Sequence, residues 1–317
     1  MDTIGIVFPG QGSQYVGMGK DLYEGFHEAK EIFDKAGDAL NIDIARLCFE
    51  GPRDALDLTP NTQAAVLTVD VALYRVFKSV TGVEPSMLAG HSLGEFAALC
   101  AAGALDFSDA VRLVYARGEY QQEAVPPGQG CMAAIIGLPQ QSVDEICQAV
   151  ERKYGVVEVA NINCPGQFVI SGATAAVERA MTKAREEGAR MVVKLSVSVP
   201  CHCSLLDTAA ERLSRYLDGV AIGQCRIPVI PNFDPDLVHE RDTTRTLLIR
   251  QFSSPVRWQQ TVERMARMGV QTIVEIGPKK TLTALIKRID RDIKTLNVED
   301  EASLEATADF FDGGEAA

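Results

Sequence analysis

The sequence predicts an α/β protein: a body on a mainly parallel sheet, with a smaller α/β unit inserted in it. Three observations carry this. Short apolar runs alternate with segments of helical periodicity along most of the 317 residues. The pentapeptide Gly90-His91-Ser92-Leu93-Gly94 follows one such run and opens a helical segment. The middle of the chain packs four strand-like and two helix-like segments into about 70 residues, in the order βαββαβ.

Ile4–Phe8 is a short apolar run closed by Pro9-Gly10, hence strand and turn. The residues before it lack the basic region and long apolar run of a signal peptide. Asp21–Leu40 has apolar residues at helical spacing, and Asn61–Val80, after Pro60, reads as a buried helix. Ser86–Gly90 is a strand, Glu95–Ala102 a helix stopped by Gly103, and Ser108-Asp109 caps a helix running to Glu123. Pro126-Pro127-Gly128 breaks the pattern. Strands at Cys131–Ile136, Val156–Ile162, Gln167–Ser171 and Met191–Leu195, with helices at Ser142–Tyr154 and Ala173–Glu187, then form a ferredoxin-like unit. The body resumes with a helix at Ser204–Leu217 and a strand at Ile227–Ile230. Helices at Thr243–Gln251 and Val256–Met268, a strand at Thr272–Ile276 and a helix at Thr281–Ile289 follow. The resulting division is a body of residues 1–127 and 199–300, a subdomain of 128–198, and a partly mobile tail, 301–317, ending in the polar Asp312-Gly313-Gly314-Glu315.

Composition excludes several classes. A net charge of −12 disfavours a nucleic-acid backbone as partner. No run of about 18 apolar residues is present, so no membrane span is expected. Eight cysteines without a CxxC pair read as reduced core thiols of a cytoplasmic chain. Cys201-His202-Cys203 does not make a metal site, because neighbours on an extended chain point in opposite directions. A local basic group, Lys279, Lys280, Lys287, Arg288 and Arg291, could meet an acidic protein, although a solvated helix face explains it equally well.

The pentapeptide fits G-x-S-x-G between a strand and a helix, where the serine is exposed on a sharp turn at the carboxyl edge of the sheet. The N–H of Leu93, at the helix start, can donate to a developing oxyanion. A second donor, the N–H of Gln11, lies in Phe8-Pro9-Gly10-Gln11-Gly12-Ser13-Gln14 after the first strand. The rival, a dinucleotide loop, fails because Tyr15 stands where the third glycine is needed. A serine hydroxyl needs a base, and the chain has four histidines. His27 sits on a polar helix side, His91 points away from its neighbour Ser92, and His239 lies in a charged loop. His202 is the best candidate, with a capping or buried histidine as the alternative. No acid is evident as its partner: Asp234 would break the usual order of a triad, and a backbone carbonyl could serve instead.

These segments, with Arg117-Gly118, Asn161-Ile162-Asn163-Cys164-Pro165-Gly166-Gln167, the segment ending Pro200-Cys201-His202, and Gln251-Phe252-Ser253-Ser254-Pro255-Val256-Arg257-Trp258, resemble malonyl-CoA:acyl-carrier-protein transacylases. The likeness runs from about Ile4 to about Leu304 in that family's order and spacing, and is closest to stand-alone bacterial enzymes. It implies a hydrolase-like α/β body, Ser92 as the acylated nucleophile, His202 as base, and Gln251 orienting that base through its backbone carbonyl. It also implies Gln11 and Leu93 as oxyanion-hole amides and Arg117 as the partner of the malonyl carboxylate. A helix arginine is usually a surface charge; the resemblance reverses that reading. The substrates implied are malonyl-CoA and acyl carrier protein, with no metal or redox cofactor. A hydrolase clearing carrier-protein thioesters, a non-catalytic docking protein and an ordinary esterase are the rival readings.

Overall fold

The computed structural model describes residues 3–197 and 199–313; Met1, Asp2, Ser198 and the tail residues Gly314 to Ala317 lie outside them. The chain opens with β1 (Thr3–Phe8), then α1 (Lys20–Gly25), α2 (His27–Leu40), α3 (Ile44–Glu50), α4 (Arg53–Leu56) and α5 (Thr59–Thr81). β2 (Met87–Gly90) leads into α6 (Gly94–Ala101) and α7 (Phe107–Ala124). The inserted unit is β3 (Gly130–Ile136), α8 (Gln140–Tyr154), β4 (Val157–Cys164), β5 (Gln167–Ala173), α9 (Thr174–Glu186) and β6 (Met191–Lys194). A 3-10 turn (Ser204–Leu206), α10 (Asp207–Leu217), β7 (Val229–Ile230), α11 (Thr244–Ser253) and α12 (Trp258–Arg267) follow. The chain closes with β8 (Val270–Ile276), α13 (Thr281–Ile289), β9 (Lys294–Val298) and α14 (Glu301–Phe311).

The body sheet has the order β7-β2-β1-β8-β9, and every pairing is parallel. Its strands are apolar on both faces because each face has its own core. Ile6, Phe8, Leu88 and Val274 point into the larger core with α2, α5, α6 and α7. Val7, Ala89 and Ile273 point into the other, with Trp258, Val262, Leu282 and Ile286 of α12 and α13. The second sheet has the order β4-β5-β3-β6, all antiparallel, and packs its own core against α8 and α9, as in a ferredoxin-like unit. Its strand β4 bridges to the body at Val256: Val256 N–H donates to Ala160 O at 2.8 Å, and Ile162 N–H donates to Val256 O at 2.9 Å.

Several elements differ from expectation. Asp21–Leu40 is two helices, because Phe26 is extended (φ −130°, ψ 128°) between α1 and α2. The cap of α7 is Asp106, whose carboxylate accepts from the N–H groups of Ser108 and Asp109, so those two residues are capped rather than capping. Val256 is taken by the bridge to β4, which delays α12 to Trp258. The segment read as the beginning of a mobile tail is largely α14, started by an Asp300–Ser303 capping box and packed on β9 and α5 through Leu304 and Phe311. β9 was not foreseen: as an edge strand only half covered, it lacks the apolar run that marks β1.

Candidate active site

Everything converges at the carboxyl end of β1 and β2. Ser92 sits on the turn between β2 and α6 with φ 54°, a left-handed conformation that costs a non-glycine residue about 1–3 kcal/mol. The turn closes tightly: a Cβ on Gly90 would lie 1.9 Å from the carbonyl carbon of Gly94. Asn232, just past β7, locks it, accepting from Ser92 N–H and donating to Gly90 O, both at 2.6 Å. The loop after β1 presses on the same turn. His91 N–H donates to Phe8 O at 2.9 Å, and a Cβ on Gly10 would meet His91 O at 2.3 Å. The same Cβ would lie 3.5 Å from Leu93 N, so the loop that carries Gln11 runs past the start of α6. Among the described residues, neither the Gln11 nor the Leu93 N–H donates to a protein acceptor.

His202 Nε2 is 2.7 Å from Ser92 Oγ. Its Nδ1 faces the carbonyl oxygens of Gln251, at 3.0 Å, and Ser254, at 3.2 Å. Carbonyls only accept, so Nδ1 carries the proton and Nε2 turns its lone pair to the serine hydroxyl. Burial, and secondly the nearby Arg117 charge, push the His202 pKa down from 6.5 to about 3. The ring is neutral at physiological pH. Asp234, weighed as an acid partner, instead accepts from Asp236 N–H in a turn of its own loop. His91 turns away from Ser92, towards Asn163 Oδ1 at 3.0 Å and the Trp258 ring.

Arg117 is 2% exposed, against the expectation for a generic helix arginine. Its Nη1 donates to Gln63 Oε1 at 2.7 Å and its Nη2 to Gln251 Oε1 at 3.0 Å. The rings of Phe96 and Phe252 flank the guanidinium at 5.5 Å. Nε is buried without a partner among the described residues. Desolvation lowers the Arg117 pKa to about 10, which leaves it charged. A buried guanidinium held by neutral amides, with one edge unsatisfied, is suited to receive a carboxylate.

Gln63, Glu95 and Asn232 around the site have no role assigned by the sequence, and His239, set aside there among the four histidines, joins them. Gln63 looks like one more position of a buried helix, Asn232 and His239 like loop residues, and Glu95 like the first turn of α6. Of the basic group on α13 and before it, Lys279 donates to Gly12 O at 2.9 Å and Arg288 reaches Gln167 Oε1. Those two tie neighbouring loops together.

The chain matches the acyl transferase domain family over residues 6–306. It is 44% identical over 305 residues, 96% of either chain, to the malonyl CoA-acyl carrier protein transacylase of Bacillus subtilis. The transacylase structure from Coxiella burnetii superposes with a TM-score of 0.94 at 42% identity, covering 97% of each chain. A malonyl-transacylase solved with a type II PKS acyl-carrier protein also superposes with a TM-score of 0.94 at 42% identity, covering 97% of this chain and 99% of that one. A serine on a strained strand-to-helix turn, a histidine within hydrogen-bonding distance and likeness across nearly the whole length agree: the chain belongs to the acyl transferase domain family, among the malonyl CoA-acyl carrier protein transacylases.

Proposed function

We propose that the chain transfers a malonyl group from malonyl-CoA to the phosphopantetheine thiol of acyl carrier protein through a malonyl ester on Ser92. The observation that carries this reading is the buried Arg117, with its unpartnered Nε, in one hydrogen-bonded network with the Ser92–His202 pair through Gln251. The malonyl carboxylate pairs with the Nε and Nη2 edge of Arg117. Ser92 Oγ attacks the thioester carbonyl while His202 Nε2 takes its proton, and the Gln251 and Ser254 carbonyls stabilise the imidazolium that forms. The oxyanion is held by the N–H groups of Gln11 and Leu93. The C–S bond breaks, and CoA leaves as a thiol with the proton from His202. The carrier thiol then attacks the ester by the same steps in reverse, so the cycle is ping-pong. Among the described residues, no carboxylate backs His202. A neutral carbonyl gives a weaker base, which suits an activated thioester and a nearly isoenergetic exchange.

The product would supply fatty-acid or polyketide synthesis. No helix among the described residues is long and apolar enough to cross a membrane, and all eight cysteines are free; both support work in the cytoplasm. Intact-mass analysis after brief exposure to malonyl-CoA tests the reading. One malonyl adduct is expected, absent in Ser92→Ala and discharged to malonyl-carrier protein on adding the holo carrier. Release of free malonate at that step would make the protein a hydrolase. An adduct that persists in Ser92→Ala would remove the serine from the reaction.

A further inference from the structure

The site contains a second histidine that the reaction above does not use. His239 and Glu95 are both fully buried in their side chains, and His239 Nε2 lies 2.9 Å from Glu95 Oε1. A carboxylate oxygen accepts, so the ring donates Nε2–H to Glu95 Oε1. On its other side Nδ1 lies 3.2 Å from the Thr244 hydroxyl, which is also 2.8 Å from Glu240 O.

The other oxygen of Glu95 is the hub of the site. Oε2 accepts from Asn232 N–H at 2.8 Å and from Gln251 Nε2 at 3.3 Å. Asn232 in turn holds both sides of the nucleophile turn. Gln251 reaches three site residues: Nε2 donates to Ser92 O at 2.8 Å, Oε1 accepts from Arg117, and its backbone carbonyl accepts from His202. Glu95 also faces Arg117 closely enough for its charge to act on it. An uncompensated Glu95 would pull on this network and partly cancel the Arg117 charge.

We infer that His239 is a positioning residue of this site. It holds the buried Glu95 carboxylate through its Nε2–H donor, so that Asn232 and Gln251 hold Ser92 and His202 in register and the charge of Arg117 stays available to a substrate carboxylate. This rests on Ser92 being the acylated residue and on Arg117 reading the acyl group. A histidine that merely filled space would give a variant impaired equally towards all acyl groups, and neutralising Glu95 would not relieve it.

The test measures single-turnover acylation of Ser92 by malonyl-CoA and acetyl-CoA in the full chain. His239→Leu leaves Glu95 Oε1 without its donor. Malonyl transfer is expected to fall about 100-fold, the scale of a small displacement of reacting groups. The malonyl-over-acetyl ratio is expected to fall about tenfold, as a nearby negative charge opposes the substrate carboxylate. Adding Glu95→Gln removes that charge, so the double variant recovers at least about tenfold in rate, together with the ratio. Because leucine in place of a buried imidazole can prevent folding, His239→Gln runs alongside; it keeps a donor for Glu95 and is expected to lose less in rate than His239→Leu. A His239→Leu rate within threefold of the parent overturns the inference. So does an unchanged acyl ratio, or a double variant no better, or no better folded, than the single. A parent chain that takes no malonyl on Ser92 would instead refute the proposed function.

Discussion

Replacing Arg117 by methionine isolates the group argued to read the substrate. The side chain is buried between Phe96 and Phe252, and methionine keeps most of its apolar contact there. What disappears is a charge and its donors. Two charge-assisted hydrogen bonds to the malonyl carboxylate, at about 1.5–3 kcal/mol each, amount to about 3–6 kcal/mol. At 1.36 kcal/mol per factor of ten, kcat/KM for malonyl-CoA should fall by about 10²–10⁴. Acetyl-CoA never makes those bonds, and in the parent its binding would cover a charged, unpaired Nε. Its acylation rate should stay level or rise. The assay is acylation of Ser92 by each thioester, followed by intact mass, with a thermal melt of the variant. The melt matters because the substitution also frees Gln63 Oε1 and Gln251 Oε1, at about 1–3 kcal/mol for each buried acceptor left unmatched. Equal losses for malonyl and acetyl transfer would refute the assignment, since damage to Gln251 and the base harms both. A malonyl loss below about threefold would refute it outright.

Two further outcomes follow from the same geometry. Burial holds the His202 pKa near 3, below its ordinary 6.5, so protonation favours the unfolded chain; the stability held by the neutral ring is full above about pH 6.5 and is lost as the pH falls towards 3. Melting parent and His202→Asn side by side should show the parent losing up to about 1.4 kcal/mol more per pH unit within that window, and curves that stay parallel there would sink the argument. Gly10→Ala places a methyl 2.3 Å from His91 O, so the loop bearing Gln11 must shift; kcat should fall by about 10²–10³, the scale of one lost oxyanion donor, and a variant with unchanged kcat would exclude Gln11 from that role.

Local signals and spatial arrangement contributed differently to these conclusions. Apolar runs located β1, β2, β7 and β8 because strands buried on both faces are largely apolar, whereas the half-covered edge strand β9 leaves little pattern to read. The βαββαβ series was legible because period-2 and period-3.6 patterns alternate in it without interruption. The break at Phe26, by contrast, leaves the hydrophobic spacing of α1 and α2 intact and has no sequence mark. Elimination among four histidines pointed to His202, but the same reasoning dismissed His239 as a loop residue. Its partner Glu95 is 144 positions away, and only folding brings the two together.

By itself the sequence determined the α/β class, the inserted unit, the strand-to-helix turn that carries Ser92, and a family likeness that nominated its companions. These are short-range properties: side-chain period, turn chemistry and motif spacing act over a few residues. Only the tertiary structure decided that Arg117 is buried, that Gln251 joins it to Ser92, His202 and Glu95, and that Asn232 locks the nucleophile turn. Each of those rests on hydrogen bonds or packing between distant segments in the buried interior. There every polar group must find a partner, and which partner it finds depends on how the elements pack.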